Sequence, residues 1–203
     1  TVAVDTNDSI FVTQQNDPNF GITVDKKLDA NGNELDKSRR VFRNARTTAI
    51  DSNNSIWYSC DSIIYESGES LIFGDTDNLA DIRSFNRQDI SIDSNSSIWL
   101  ADDNQDAAVQ LDQSGNVIQS FTTSESNIRS IDTLSSDSLL IGYNNSTMLK
   151  TDQTGSISNL FELQRNISQT AVDSQDSLFI VENNNTLSKG EPDIRKFDLN
   201  GVP

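Results

Sequence analysis

The chain has no histidine and a single cysteine among its 203 residues. Without histidine there is no Ser-His-Asp or Cys-His catalysis, no imidazole metal ligation and no imidazole proton shuttle near neutral pH. Cys60 alone allows neither an intrachain disulfide nor a metal site built from several thiolates. At the end of "IWYSC" it reads as a small buried hydrophobe. No apolar run approaches the roughly 18 to 20 residues that span a bilayer as a helix, so direct membrane insertion is not expected. The chain opens at Thr1 with no charged n-region or apolar h-region, and the expectation is a mature or internal segment.

Positive charge is also scarce. Lys and Arg total 15 against 31 Asp and Glu, a net charge of -16. That excess repels phosphate backbones and anionic headgroups at long range, so nucleic acid is not an expected partner. Lys26, Lys27, Lys37, Arg39, Arg40, Arg43 and Arg46 are concentrated in one stretch, interleaved with Asp25, Asp29, Glu34 and Asp36. The preferred reading is a solvated hairpin, and the functional one is a docking patch for an acidic neighbour.

What the chain does have is a repeated phrase. "DTNDSIFV" begins at Asp5, "DSNNSIWY" at Asp51, "DSNSSIWL" at Asp93, "DTLSSDSLLI" at Asp132 and "DSQDSLFI" at Asp173, at separations of 46, 42, 39 and 41 residues. Before each Asp stands a small-and-apolar alternation, the mark of a strand: "VAV", "TAI", "ISI", "RSI" and "TAV". After it, a polar linker leads to a second apolar strand containing Phe11, Trp57, Trp99, Leu140 or Phe179. Later in each unit except the second comes D-x-x-G, at Asp29–Gly32, Asp112–Gly115, Asp152–Gly155 and Asp198–Gly201. Asp first and Gly fourth suit a type I turn with the glycine free to take positive φ, so this is a hairpin between third and fourth strands. The second unit has a shortened turn at Glu66-Ser67-Gly68 and an acidic insertion, "GDTDNLAD".

Four short strands in about 40 residues, with no sustained helical periodicity, describe an all-β chain: a β-propeller of four-stranded antiparallel blades. The repeats run approximately over 1–46, 47–88, 89–127, 128–168 and 169–203 as one domain, either a five-bladed ring or part of a six-bladed one. The innermost strand needs small residues where backbones approach, at Ala3, Ala49, Ser91, Ser130 and Ala171, with Val4, Ile50, Ile92, Ile131 and Val172 as apolar wedges.

"AVDSQDSLFIVE", "SIDSNSSIWLAD" and "DIRKFDLNG" resemble the NHL-type repeat and the related regucalcin/gluconolactonase-like propellers. That resemblance implies blade architecture over all five units, and it is compatible with binding modules, enzymes and scaffolds alike. Lactonases of this kind hold a divalent cation with Glu, Asn and Asp and need no histidine. Their ligand set does not map residue by residue onto this chain.

Asp5, Asp51, Asp93, Asp132 and Asp173 are the candidate metal ligands, a ring of hard oxygens at one end of the channel that would suit Ca²⁺. Capping of the turn N-H groups accounts for the same residues, explains why every blade has one, and is the preferred reading. "LDANGNEL" around Asp29 fails as an EF-hand loop, because its glycine is fourth where the sixth position is required. The clusters Asp102, Asp103 and Asp106, and Asp75, Asp77 and Asp81, read as solvated loops. No catalytic residue and no obligatory cofactor are assigned. The expected role is a non-catalytic interaction or structural module, extracellular or at the cell surface, with a protein or glycan ligand or neighbouring copies as partners. The alternative is a divalent-metal-dependent lactone or ester hydrolase working in the channel. The last unit lacks room for a fourth strand, so its edge is expected to be completed by residues beyond 203 or by a neighbouring molecule.

Overall fold

The structure is a computed structural model. It describes every residue other than 1, 5–9, 18–21, 30, 42–46, 53–55, 60–62, 68, 72–86, 124, 164–165, 174, 183–192 and 200–203. Asp5, Cys60, Arg43, Arg46 and the cluster of Asp75, Asp77 and Asp81 therefore lie outside the described residues. Among those described there is no helix, and the strands form antiparallel sheets in chain order.

Blade one holds β1 (Val2–Val4), β2 (Ile10–Asp17), β3 (Ile22–Leu28) and β4 (Glu34–Val41); blade two holds β5 (Thr47–Ile50), β6 (Ile56–Ser59), β7 (Ile63–Ser67) and β8 (Glu69–Leu71). Blade three holds β9 (Arg87–Ile92), β10 (Ile98–Asp102), β11 (Ala107–Leu111) and β12 (Val117–Thr122). Blade four holds β13 (Ile128–Thr133), β14 (Leu139–Tyr143), β15 (Thr147–Thr151) and β16 (Ile157–Glu162). Blade five has three described strands, β17 (Ile167–Val172), β18 (Leu178–Glu182) and β19 (Asp193–Phe197). The first strands stand side by side in order, β1 with β5, β5 with β9, β9 with β13 and β13 with β17, which makes this a β-propeller.

Sheets stack face to face, so each blade has a leading face toward the next and a trailing face toward the previous one. Among the described residues, three apolar cores fill the junctions from blade two to blade five. Trp57 on the leading face of blade two packs with Ile90, Ile98, Leu100, Val109 and Leu111 of blade three. Trp99, Ala101 and Ala108 of blade three pack with Ile128, Ile131, Leu139, Ile141, Tyr143 and Leu149 of blade four. Leu140 and Met148 of blade four pack with Ile167, Leu178, Ile180 and Phe197 of blade five. Trp57 and Trp99 are fully buried, as expected of the second-strand aromatics, and removing such a ring from a core costs about 3–5 kcal/mol. Phe179, at the same position in blade five, is only half-buried.

Neighbouring strands of blade four, together with blade five, set a limit on side-chain size at Gly142. A Cβ there would stand 2.5 Å from Ser130 Oγ, 3.2 Å from Met148 Sδ and 3.3 Å from Ile167 Cγ2. Three of the D-x-x-G turns form as their residues dictate: Gly32, Gly115 and Gly155 have φ of 83°, 83° and 88°, and each N-H donates to the carbonyl of the Asp three residues earlier; the fourth, at Asp198, runs into residues outside those described.

Candidate functional site

The turn between first and second strands has the same backbone bonding as the D-x-x-G turn. In blade three the Ser96 N-H donates to Asp93 O and the Asp93 N-H to Ser97 O; in blade five Asp176 and Ser177 do the same with Asp173. The carboxylate completes it. Asp93 Oδ1 accepts from the N-H groups of Asn95 (3.0 Å) and Ser97 (2.9 Å), and Oδ2 from Trp99 Nε1 (3.2 Å), Gln110 Nε2 (3.2 Å) and Gln153 Nε2 (3.4 Å). Asp51 accepts from Trp57 Nε1 at 3.1 Å and is likewise buried. Asp173 accepts from the N-H groups of Gln175 (2.9 Å) and Ser177 (2.8 Å), with the Lys196 ammonium 3.9 Å away. Those backbone bonds, led by Ser177, hold the Asp173 carboxyl below the usual carboxylate range.

Asp132 departs from the set. The turn of blade four is built on Leu134, whose N-H donates to Ser138 O and whose carbonyl accepts from Asp137 N-H. Asp132 sits two residues earlier, within β13 opposite Leu140, the rung that Ser91 occupies opposite Trp99 in blade three. The phrase in this unit is two residues longer, so aligning it on its first Asp shifts the register. The small channel position of blade four is therefore Asp132, not Ser130, and the wedge position is Thr133, not Ile131. A cavity of about 320 Å³ at this end of the channel is lined by Asp93, Leu134 and Asp173 among others. The apolar Leu134 lies between the carboxylates where a continuous ring would need an oxygen. Among the described residues no group of three or more His, Cys, Asp or Glu is arranged to hold a metal ion.

Deeper along the first strands lies a second cavity of about 490 Å³, lined by Thr47, Thr48, Asp89, Asp132, Thr170 and Phe179 among others. Asp89 in β9 is buried. Its Oδ1 accepts from Thr47 Oγ1 (2.8 Å) and Ile90 N-H (3.0 Å), and its Oδ2 from Ile131 N-H (3.1 Å). Thr170 Oγ1 donates to Asp132 Oδ2. Desolvation, with the Asp132 charge second, pushes Asp89 up to about 8, and desolvation pushes Asp132 up to about 6. The two titrate as a coupled pair held above the usual carboxylate range. The belt of bonds runs Thr47 to Asp89, Asp89 to β13, and Asp132 to Thr170, crossing blades two to five.

Asp89 was not among the candidates read from sequence. Its signal is an acid inside "RQDISI", where the other first strands have Thr47, Ser130 and Gln169 at the matching rung.

Asp102, read from sequence as part of a solvated loop, is instead fully buried at the end of β10, and Asp103 and Asp106 are partly buried in the turn that follows. Asp29 accepts from Asn31 N-H, Asn33 N-H and Asn33 Nδ2 at 2.8 to 2.9 Å, which lowers its pKa. Asp102 accepts from Asn104 N-H at 3.0 Å, and Asp106 from Asn127 N-H at 2.7 Å. In the basic stretch Lys26 pairs with Glu34 at 2.9 Å across the hairpin of β3 and β4.

No family model matches the chain, and no curated protein matches it. Solved structures do. A catalytically inactive virginiamycin B lyase from Staphylococcus aureus with quinupristin, in which alanine replaces a histidine, is 14% identical with a TM-score of 0.66, covering 98% of this chain and 69% of that one. The WD40 β-propeller domain of Doa1 is 10% identical with a TM-score of 0.70, covering 98% and 62%. Hydrazine synthase of Kuenenia stuttgartiensis is 12% identical with a TM-score of 0.67, covering 98% and 62%. At such identities the likeness shows the propeller fold alone.

Proposed function

We propose that this propeller is a non-catalytic interaction module of the NHL-like type, working outside the cell or at its surface on a protein or glycan ligand. The observation that carries this reading is the use made of the repeated carboxylates. Asp93 already accepts five hydrogen bonds from its own chain, and Asp51 and Asp173 accept from the same kinds of donor. An oxygen so occupied gives up those bonds to ligate a cation, and the cost falls on the turn itself. The acidic, Asn- and Ser-rich composition supports an exposed setting. The lyase that shares the fold is inactive when a histidine becomes alanine, and this chain has no histidine to supply such chemistry.

One observation favours a second reading, a metal-dependent lactone or ester hydrolase. Asp89 and Asp132 break the repeat on the channel wall, where a catalytic site would break it. Both are engaged by Thr47, Thr170 and backbone N-H groups, which is the reason for preferring the structural role. The test is a panel of lactones and esters assayed with Ca²⁺, Mg²⁺, Mn²⁺ and Zn²⁺, alongside arrays of glycans and of extracellular protein domains. Saturable binding without turnover supports the proposal. Cation-dependent turnover abolished by Asp89→Asn or Asp132→Asn, or by Asp93→Ala or Asp173→Ala, replaces it with the hydrolase.

A further inference from the structure

The three filled junctions make the leading face of blade five conspicuous. Its positions follow from register: Phe179 matches Trp99 and Leu140, Val181 matches Ala101 and Gly142, and Ile194 matches Ala108 and Met148. Ala108 and Met148 are 0% exposed, whereas Ile194 is 69% exposed. Gln169 is exposed where Asp89 and Ser130 are buried. Among the described residues, the other large exposed apolar ones, Leu35, Val117, Ile118 and Ile157, all lie on fourth strands at the rim. Ile194 is the exception, on a third strand whose counterparts form junction cores. The 490 Å³ cavity lies against this face, lined by Gln169, Ala171, Phe179, Val181 and Ile194. Among the described strands β17 packs on β13 and β14, with no comparable packing on β1.

We propose that this face is the seat of a further blade of the same repeat, joined through the polypeptide that leaves the turn at Asp198. Continuity with the three established junctions says what the occupant must be: a sheet presenting large aliphatic side chains, as Ile128, Ile131, Leu139 and Ile141 do to Trp99. The curvature agrees. Propellers superpose on 98% of this chain with TM-scores of 0.66 to 0.70 while only 62 to 69% of their own length is used, so a ring of this curvature extends beyond five blades. Blade one is the competing occupant, by closure within the chain or from a second copy. Continuation through the Asp198 turn is preferred because that curvature leaves an arc unfilled.

The test places one thiol on the face. In a Cys60→Ser background, Ile194→Cys is compared with Met148→Cys for its rate of maleimide labelling, with sedimentation reporting the oligomeric state. In the 203-residue chain the thiol at 194 labels at least about 100-fold faster than that at 148, as an open site differs from one reached only by unfolding. The chain is then extended in register. Because Asp198–Gly201 matches Asp112–Gly115, residues 116–162 joined after Gly201 supply a fourth strand and a copy of blade four. A shorter extension, residues 116–122, supplies the strand alone. The longer extension slows labelling at 194 to the rate at 148, and the shorter one leaves it fast. A second long extension, residues 156–203 joined after Gly201, guards against one poor fit. The proposal is overturned by slow labelling at 194 in the unextended monomer, which means the ring closes on blade one. Slow labelling that appears only with self-association overturns it in favour of a second copy. Fast labelling that persists in both long extensions also overturns it.

Discussion

Asp137 receives both the N-H and the hydroxyl of Ser94 from the preceding blade, at 3.1 and 2.8 Å. Ser135 and Asp176 repeat the arrangement one blade on, at 2.8 and 2.6 Å, and Ser52 meets Ser96 at 2.8 Å in the same place. Ser96, Asp137 and Asp176 all have φ near 60°, a left-handed conformation that ordinarily favours glycine. Their side chains explain why glycine is absent: each ties one blade to its neighbour.

Replacing Asp137 therefore separates two effects. Asp137→Gly relieves the strain of positive φ but removes the clamp, and Asp137→Ala keeps the strain and removes the clamp as well. Urea denaturation should show Asp137→Ala as the less stable of the two, with a loss of about 1–3 kcal/mol relative to wild type. An alanine variant as stable as wild type would mean that the Ser94 bonds contribute nothing.

The Asp89 and Asp132 pair imposes a pH dependence. Both folded pKa values lie above the unfolded carboxylate range, so between about pH 4 and about pH 8 the folded chain binds more protons than the unfolded one. Their contribution is fully present below pH 4 and is lost as pH rises through about 6 and then about 8. Asp29, Asp112, Asp152 and Asp173 have lowered values and act oppositely, losing stability as pH falls below their unfolded range. Melting temperature should peak in mildly acid solution and decline toward pH 9. Asp89→Asn should flatten that decline, and an unchanged slope in the variant would remove the pair as its source.

Gly142→Ala tests how tightly blade four packs on itself and on blade five. Its Cβ would meet Ser130 Oγ at 2.5 Å, in a junction already filled by Met148 and Ile167. A loss of about 1–3 kcal/mol is expected, the usual effect of overfilling a packed core. Pairing it with Ser130→Gly should recover part of that loss, and a double variant no better than the single would place the clash elsewhere.

Much of the architecture was legible in the sequence because a blade repeats its own constraints. Apolar second strands, Asp-initiated turns and D-x-x-G hairpins recur at nearly constant spacing, and each has one local physical cause. The candidate site was read less well for two reasons. "IDTLSSD" is two residues longer than its counterparts, so Asp132 was aligned with turn-forming acids although strand register puts Leu134 in that role. Asp89 stands alone in its strand, and nothing in local spacing reveals that Thr47 and Ile131, 42 residues away on either side, close around it. Phe179 has the sequence of a junction aromatic, yet it is only half-buried, which local spacing does not reveal.

Whether the recurring aspartates serve turns rather than a cation is tested most directly by the melting temperature in EDTA against saturating Ca²⁺. Mg²⁺ at equal concentration controls for general screening of a chain with net charge -16. A cation bound to the folded chain at 100 times its dissociation constant stabilises by about 2.7 kcal/mol, a shift of several degrees. Ca²⁺ and Mg²⁺ should give the same melting temperature, and Asp93→Asn should lower it equally in EDTA and in Ca²⁺. A rise specific to Ca²⁺ that disappears in Asp93→Asn or Asp173→Asn would contradict the turn role.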